Sequence, residues 1–173
     1  KTLSGLYSPG STIKPIVALS ALENNIINPN FKVKCTGKTE LYGQTFHCWK
    51  EKGHGFVSLK NAMKQSCDTY FYEIARLLGV DRLNVTAKKF GLGEKVLGEY
   101  FDNEKRGLFP NTNWKKNNLG RGWVLGETLI TGIGQGYTQT TPLQLCLMTA
   151  QIANGGFKIK PKIIVNNNPL SFE

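Results

Sequence analysis

The sequence predicts an α+β domain with several helices and few strands, and three observations support that fold class. The length of 173 residues, with 40% hydrophobic and 20% charged residues, suits one domain with a buried core. Apolar residues recur at helical spacing in most segments that have a clear pattern. Alternation of apolar residues with lysine, which indicates a strand, occurs near the end of the chain.

The first predicted helix follows a Pro9-Gly10 turn and runs from Ser11 to about Glu23. Its apolar residues suit a buried helix; they are Ile16, Val17, Leu19, Ala21 and Leu22. Pro15 lies so close to the start that it removes at most one intrahelical hydrogen bond. We therefore expect Ser11 in the first turn of a buried helix.

Later helices are predicted from the residues that start and stop them. Serine, aspartate and threonine favour the amino ends of helices, whereas glycine commonly follows their carboxyl ends. The predicted helices run from Ser58 to about Gln65, through Phe71 to Gly79, from Asp81 to Gly91, and from Thr141-Pro142 to Gly155-Gly156.

Three other stretches lack a helical pattern. Residues 28–57 are predicted to form a long irregular loop with at most a short hairpin, and residues 91–136 to be mostly loop, because both are rich in glycine. Residues 157–165 are predicted to form a strand. A long loop without secondary structure usually has a functional or stabilising reason to exist.

The composition narrows the possible partners. The formal net charge of +10 would suit an anionic partner such as nucleic acid, but the 22 lysine and arginine residues are scattered and no nucleic-acid motif accompanies them. We therefore expect a solvated basic surface and no nucleic-acid partner. No apolar run reaches the roughly 20 residues of a membrane helix. The chain starts at Lys1 without a methionine, and we expect it to be a piece of a longer protein.

Ser11 and Lys14 have the Ser-x-x-Lys spacing of an activated serine nucleophile. Residues three apart on a helix lie on the same face, with Cβ atoms about 5 to 6 Å apart. A serine hydroxyl is a weak nucleophile, and a lysine whose charged form is disfavoured by burial can accept its proton. The pattern also arises by chance in a chain of this size, so its context decides.

The context of Ser11 resembles the first active-site motif of the penicillin-binding transpeptidases, serine enzymes of bacterial cell-wall synthesis. The matching residues are Leu6-Tyr7-Ser8-Pro9-Gly10-Ser11-Thr12-Ile13-Lys14-Pro15. Ser66-Cys67-Asp68 is similar to the family's second motif, Ser-x-Asn or Ser-x-Asp. Residues 114–145 and 152–156 resemble the segment that follows, so the similarity extends over nearly the whole chain in the right order.

The resemblance implies a role for each motif residue. Ser11 would be the nucleophile and Lys14 its base, and the Ser66 hydroxyl would relay a proton between Lys14 and the departing group. Asp68 would help to position the lysine and the substrate, although its negative charge favours a protonated Lys14 and so opposes the base role. Taken alone, Ser66 and Asp68 also fit a simple helix cap.

The family's third motif, Lys-Ser/Thr-Gly on a strand, is absent from the sequence. The resemblance therefore implies the α+β fold of penicillin-binding transpeptidases and serine β-lactamases, truncated before the third-motif strand and predominantly helical over residues 1–173. That strand supplies one donor of the oxyanion hole, and losing one donor typically costs about a hundredfold to a thousandfold in rate. We expect the chain by itself to be poorly active.

The resemblance also implies a function. A peptidoglycan D,D-transpeptidase would acylate its serine with a stem peptide ending in D-Ala-D-Ala, transfer the acyl group to an amine, and be trapped by β-lactam antibiotics. The alternatives are a D-Ala-D-Ala carboxypeptidase, a β-lactamase, a non-catalytic β-lactam sensor domain and an inactive scaffold. Residues 42–55 are most similar to the penicillin-binding protein 2 subfamily of class B, which implies a bacterial inner-membrane anchor, a periplasmic catalytic domain and membrane-bound elongation partners.

The long loop and the second motif contain a set of metal-binding residue types: Cys35, Cys48, His54 and Cys67. The intervals of 12, 5 and 12 residues are unlike those of zinc fingers, but three cysteines and a histidine are a known structural zinc shell. Some elongation-type relatives hold a metal here, and the resemblance places the histidine and the last cysteine among its ligands. We predict zinc, with a Cys35–Cys48 disulfide as the alternative. His47 is expected to be exposed and Cys146 to lie in the core.

Overall fold

The computed structural model describes residues 1–98 and 101–162 of the chain, and helices dominate it. A 3-10 turn, Gly10–Ile13, leads directly into the first helix. The helices are α1 (Lys14–Glu23), α2 (Leu59–Lys64), α3 (Asp68–Leu78), α4 (Val80–Lys89), α5 (Thr112–Leu119), α6 (Leu125–Thr131) and α7 (Pro142–Ala153). The strands are β1 (Lys32–Cys35), β2 (Lys38–Leu41), β3 (Gln44–His47) and β4 (Gly55–Ser58). The prediction of a predominantly helical α+β fold is confirmed.

Helix α3 lies at the centre of the core and packs against α1, α6 and β1. Its side chains Tyr70, Phe71 and Ile74 are completely buried. Each aliphatic or aromatic side chain buried in this way contributes about 1.5–3 kcal/mol by leaving water. The helix ends at Gly79, whose φ of +82° glycine adopts without strain. Because Asp68 is the first residue of α3, this packing fixes the location of the second motif.

Two small antiparallel sheets occupy much of the stretch 28–57 that is predicted to be an irregular loop. β1 pairs with β4, with Lys32 opposite Ser58. β2 pairs with β3 through the two-residue turn Tyr42-Gly43, where both residues have positive φ, as the tightest hairpin turns require. The sequence predicts the hairpin but not the β1–β4 pair, because those strands are short and their partners are distant along the chain.

Residues 91–136 are mostly loop where the structure describes them, as predicted, but the prediction lacks the two short helices that lie within them. α5 begins where the Asn111 side chain accepts a backbone N–H at 2.7 Å, and it ends at Gly120, which has a left-handed φ of +64°. α6 begins where the Glu127 carboxylate accepts the Val124 N–H at 3.0 Å. Both starts use ordinary caps that the glycine- and asparagine-rich composition of the stretch obscures.

Helix starts differ from the prediction at α4 and agree with it at α7. Asp81 lies in the first turn of α4 and does not cap it; its carboxylate accepts hydrogen bonds from the N–H and hydroxyl of Thr112, which ties α4 to α5. At α7 the predicted cap is confirmed. The Thr141 hydroxyl accepts the Gln144 N–H at 3.2 Å, and the Gln144 side chain accepts the Thr141 N–H at 2.8 Å.

The last part of the chain departs from the prediction in two ways. Residues 157–162 form no strand, and residues 163–165 of the predicted strand lie outside the described residues. Cys146 is exposed on α7 and does not lie in the core, because Gln144, Leu147 and Met148 form the buried face of that helix. In the part of the chain that the structure describes, no helix combines the length and apolar character needed to cross a bilayer.

Candidate active site and metal centre

Ser11 is exposed at an open cleft with a volume of about 470 Å³. The Thr12 hydroxyl donates to the Pro9 carbonyl at 2.7 Å and closes the turn that presents Ser11. The other residues lining the cleft are His47, Cys48, Trp49, Asp68, Tyr72, Ile133 and Gln135. Binding sites for small ligands commonly have volumes of about 300–1,000 Å³. The predicted nucleophile therefore faces a space that admits the end of a peptide.

The turn that carries Ser11 is held by direct contact between two glycine backbones. The Gly10 N–H donates to the Gly134 carbonyl at 2.9 Å, and the two residues have positive φ values of +58° and +72°. A β-carbon on Gly134 would lie 2.2 Å from the Gly10 carbonyl oxygen, which no real contact allows. Gly134 therefore positions the nucleophile turn. Sequence reasoning does not single it out, and the closely spaced glycines of residues 132–136 are the signal available.

Lys14 is buried, with 2% of its surface exposed. Its ammonium group donates to the Ser66 carbonyl at 2.9 Å, to the Ser66 hydroxyl at 2.8 Å and to the Asp68 carboxylate at 2.7 Å. An ammonium group has three N–H donors, so these bonds use all of them. Within the described residues no hydrogen bond joins Lys14 to Ser11. The structure thus joins Lys14 to the second motif, and proton transfer from Ser11 requires one of these bonds to be exchanged.

The ion pair between Lys14 and Asp68 is largely buried, with the two side chains 3% and 13% exposed. Removing one partner of a buried pair leaves an uncompensated charge and typically costs about 3–5 kcal/mol. The Phe71 ring centre lies 5.3 Å from Lys14 Nζ, which is a second favourable contact for a cation. Asp68 and Phe71 thus both make contacts that suit a cation.

Ser66 has a left-handed backbone conformation, with φ of +49°, that is uncommon for a residue other than glycine. Such a conformation costs on the order of 1–3 kcal/mol and persists where the surrounding contacts hold it. It directs both the carbonyl and the hydroxyl oxygen of Ser66 toward Lys14. The N-cap of α3 is Cys67, without a side-chain hydrogen bond, so neither Ser66 nor Asp68 acts as the simple cap considered above.

Trp49 connects the cleft to the second motif and is absent from the sequence prediction. Its indole Nε1–H is shared between the Gln65 carbonyl at 3.0 Å and the Ser66 carbonyl at 3.1 Å. Its backbone N–H donates to the second oxygen of the Asp68 carboxylate at 3.0 Å. The only hint in the sequence is that Trp49 follows Cys48, because partners this distant along the chain leave no local pattern.

The four predicted metal ligands lie together, next to the second motif. The ligand atoms of Cys35, Cys48, His54 and Cys67 all lie within 4.8 Å of one another. The three thiols are buried, and His54 Nδ1 lies 3.6 Å from both the Cys35 and the Cys48 sulfur atoms. Tetrahedral zinc, with Zn–S near 2.3 Å and Zn–N near 2.0–2.1 Å, places its ligand atoms about 3.5–3.8 Å apart. The donor set therefore suits a metal ion, and the two His54–sulfur distances of 3.6 Å match the tetrahedral spacing.

Close backbone packing brings the ligands together. The Cys48 N–H donates to the Gly37 carbonyl at 2.8 Å, which joins the end of β3 to the residues that follow β1. A β-carbon on Gly37 would lie 1.9 Å from the Glu51 carbonyl oxygen, and one on Gly53 would lie 2.2 Å from the Cys35 carbonyl oxygen. Glycine at both positions lets the two chain segments approach closely enough for their cysteines to meet.

The electrostatics of the thiols favour a cation at the cluster. At Cys35, burial opposes ionisation, but hydrogen bonds from Thr69, from His54 and from nearby backbone N–H groups lower the pKa to about 6. Burial raises the pKa of the Cys67 thiol, and the neighbouring Cys35 and Cys48 raise it further. A bound cation would offset this repulsion and hold all three as thiolates.

The remaining observations on cysteine and histidine residues agree with a cluster of free thiols around His54. None of the four cysteines is in a disulfide in the described structure. His47 is exposed, as predicted, and its carbonyl accepts the Tyr72 hydroxyl at 3.0 Å. The His54 ring meets the Trp49 ring edge to face, with centres 5.2 Å apart. The metal cluster and the cleft therefore share a wall made by Cys48 and Trp49.

Comparison with known proteins places the whole chain in one group. A family model for the penicillin binding protein transpeptidase domain matches residues 1–171. The chain is 39% identical to peptidoglycan D,D-transpeptidase MrdA of Acinetobacter baumannii over 166 residues, which are 95% of this chain and 25% of that protein. It therefore spans about a quarter of the length of this relative.

Two solved structures have closely similar folds. The crystal structure of Pseudomonas aeruginosa PBP2 in complex with WCK 5153 matches with a TM-score of 0.88 and 42% identity, over 99% of this chain and 41% of that one. The complex between PBP2 and MreC from Helicobacter pylori matches with a TM-score of 0.90 and 37% identity, over 98% of this chain and 32% of that one.

Proposed function

The chain belongs to the penicillin-binding protein transpeptidase family, and from that premise we propose that the protein carrying it is a serine peptidoglycan D,D-transpeptidase of cell elongation. One observation carries the proposal. Ser11, the candidate nucleophile, lines the same cleft as Asp68, and Asp68 is bonded to the buried Lys14, which also binds Ser66. The similarity to PBP2 structures over nearly the whole chain supports the elongation type.

In the proposed reaction, Ser11 Oγ attacks the carbonyl carbon between the two terminal D-alanines of a stem peptide. The bond to the last D-alanine breaks, that residue leaves as an amine, and the rest of the peptide stays as an ester on Ser11. An amine of a neighbouring stem peptide then attacks the ester, which forms the cross-link and frees the serine. A β-lactam acylates the same oxygen and blocks the site.

The proton path in this proposal runs through Lys14 and Ser66. To accept the Ser11 proton, Lys14 must be a neutral amine, which keeps two N–H groups and so gives up one of its three present hydrogen bonds. The Ser66 hydroxyl, 2.8 Å from Lys14 Nζ, then carries a proton to the departing amine. Asp68 holds Lys14 in place and, by its charge, opposes the neutral form, so in this proposal Lys14 first releases one proton to water and only then takes the Ser11 proton.

We propose that residues 1–173 are one part of a transpeptidase domain. We propose that the Lys-Ser/Thr-Gly strand and its oxyanion-hole donor belong to the longer protein, because that motif is absent from this sequence. The other donor is the Ser11 N–H. The chain alone would therefore be acylated slowly, since a missing oxyanion donor typically costs about a hundredfold to a thousandfold in rate.

The proposed partners follow from the family. They are stem peptides ending in D-Ala-D-Ala, β-lactam antibiotics, and the membrane-bound elongation machinery. The complex of the similar Helicobacter pylori PBP2 with MreC supports a partner of that kind. We propose further that the full protein is anchored in the bacterial inner membrane, with the catalytic domain in the periplasm.

We propose that the Cys35, Cys48, His54 and Cys67 cluster holds a structural zinc ion. Three cysteines and a histidine are a closed zinc shell, which leaves no position for a substrate. The ion would hold the hairpin region against the start of α3, because Cys67 precedes Asp68 and Cys48 precedes Trp49. The cluster would thus give the long stretch before α2 a reason to be ordered.

The nucleophile is tested by labelling the full-length protein that carries this chain with a fluorescent penicillin. Ser11→Ala is expected to abolish labelling, because it removes the atom that forms the bond, and Lys14→Ala to reduce it nearly as much. Ser4→Ala, at an exposed serine in the same segment, is the control and should label normally. Labelling of Ser11→Ala at the wild-type level would refute the proposal. Analysis of products with a peptide amine present then separates transpeptidase from carboxypeptidase.

Elemental analysis of protein purified without added metal tests the zinc proposal. About one zinc ion per chain is expected from the Cys₃His donor set. Absence of zinc, together with a Cys35–Cys48 disulfide found by mass spectrometry, would end it.

A further inference from the structure

We propose that Trp49 is a positioning residue for the second motif, and that its indole N–H keeps Ser66 in the conformation that binds Lys14. The inference rests on the proposed function for its effect on acylation, but its structural part can be measured separately. Trp49 touches no reacting atom in this role; it acts through Ser66 and Asp68.

The first argument is the conformation of Ser66. A residue other than glycine at φ of +49° is under strain. It keeps this conformation only if surrounding contacts stabilise it. Its carbonyl oxygen has two donors, Lys14 Nζ at 2.9 Å and Trp49 Nε1 at 3.1 Å. Without the indole donor the carbonyl keeps only Lys14, the group whose bonds must change during catalysis. Trp49 is therefore the donor able to hold Ser66 while Lys14 exchanges a proton.

The second argument is that the two oxygens of the Asp68 carboxylate bind different partners. One oxygen accepts from Lys14 at 2.7 Å, whereas the other accepts from the Trp49 backbone N–H at 3.0 Å. The carboxylate is thereby fixed in rotation, and the ion pair keeps one geometry. Trp49 thus contacts both residues that bind Lys14, one through its side chain and the other through its backbone.

The third argument concerns what holds Trp49 itself. Its side chain is not kept in place by burial, because 63% of the residue is exposed. Two proposed metal ligands constrain Trp49 instead. The His54 ring contacts the indole edge to face, and Cys48 is the preceding residue in the chain. The indole therefore transmits the position of the metal cluster to Ser66 through one shared N–H group.

The test is the pair of variants Trp49→Phe and Trp123→Phe in the full-length protein. Each keeps an aromatic ring and loses one indole N–H; at Trp123 the lost bond is to the Thr128 hydroxyl at 2.8 Å. Rapid-mixing acylation by a fluorescent penicillin separates the dissociation constant of the first complex from the acylation rate constant. Amide hydrogen exchange at residues 65–67 and zinc content are measured on the same samples.

We expect Trp49→Phe to lower the acylation rate constant about tenfold, as loss of one positioned hydrogen bond predicts, and to speed amide exchange at residues 65–67. The dissociation constant and zinc content should stay at wild-type values, and Trp123→Phe should keep the rate constant within about twofold. A loss of stability alone would change the active fraction but not a single-turnover rate constant.

Three outcomes would overturn the inference: an unchanged rate constant, a change confined to the dissociation constant, or loss of zinc in Trp49→Phe. The second would make Trp49 a binding surface, and the third would make its ring part of the metal site. If the wild-type protein is not acylated, the proposed function fails instead. Unchanged exchange at residues 65–67 in Trp49→Phe would then still refute the positioning role.

Discussion

The turns next to the first helix and before α3, which carry Ser11 and Ser66, reach left-handed backbone conformations by different means. At the first turn, Gly10 with φ of +58° packs on the backbone of Gly134, and the Thr12 hydroxyl closes the turn. At the second turn, Ser66 with φ of +49° is strained and is held by Lys14 and Trp49. The turn of the proposed nucleophile thus depends on close contact between two backbones, whereas the turn of the proposed proton relay depends on polar contacts beside the proposed metal site.

This difference predicts different weak points. The first turn should fail when a β-carbon is added at Gly134, because the Gly10 backbone fills that position. The second should fail when a ligand, a donor or a charge is removed, because such contacts keep a strained residue in place. The three predictions below are ordered by the size of the expected effect.

The largest effect is expected from Cys35→Ser, which removes a ligand of the proposed zinc site. Structural zinc contributes on the order of 10 kcal/mol to the folding of the segments it joins, so zinc content, melting temperature and penicillin labelling should all fall. Cys146→Ser removes the exposed cysteine on α7 and should change none of them. Full zinc content and an unchanged melting temperature in Cys35→Ser would show that the second turn does not depend on the cluster.

An intermediate effect is expected from Gly134→Ala at the first turn. The new β-carbon would lie 2.2 Å from the Gly10 carbonyl oxygen, and a shift of about 1 Å at a nucleophile can cost about a hundredfold in rate. Gly136→Ala is the matched control, because its φ of +69° is similar but its β-carbon would meet only the Ile130 side chain at 3.1 Å. Equal acylation rates in the two variants would rule out contact with Gly10 as the cause.

The smallest effect is expected from Asp68→Asn, which keeps one oxygen for Lys14 and removes the negative charge. Because a nearby anion opposes the base role of Lys14, its loss should raise the acylation rate constant measured at a fixed pH. Asp81→Asn, at a carboxylate that binds Thr112 far along the chain, should leave that rate constant unchanged. A rate constant for Asp68→Asn at or below the wild-type value would contradict the opposition between Asp68 and the base role.

Features encoded by residues close in sequence could be predicted. The Pro9-Gly10 turn with Ser11 and Lys14 three residues apart is local, and so is the α7 start, where Thr141 and Gln144 cap each other. The structure brings together the four predicted metal ligands as well. These ligands are far apart in sequence, but three cysteines and a histidine within residues 35–67 are an uncommon set, and that set alone indicates a shared site.

Features that depend on distant partners could not be predicted. Gly134 acts by contacting Gly10, and Trp49 acts by donating to carbonyl groups distant in sequence. Neither residue type indicates such a partner. α6 was missed because it contains Gly126 and is held by the packing of Leu129 against the core, not by helix propensity. Cys146 was misplaced because an apolar neighbourhood in sequence does not tell which face of a helix is buried.

The exposure of Cys146 makes it a site for attaching a spectroscopic reporter. Thiol-reactive dyes modify accessible thiols, and the other three cysteines are buried within the described structure. Within residues 1–173 a maleimide dye should therefore couple to α7 alone and leave the three buried cysteines unmodified. Fluorescence from that position, combined with a labelled β-lactam at Ser11, would then report the distance between α7 and the cleft during acylation.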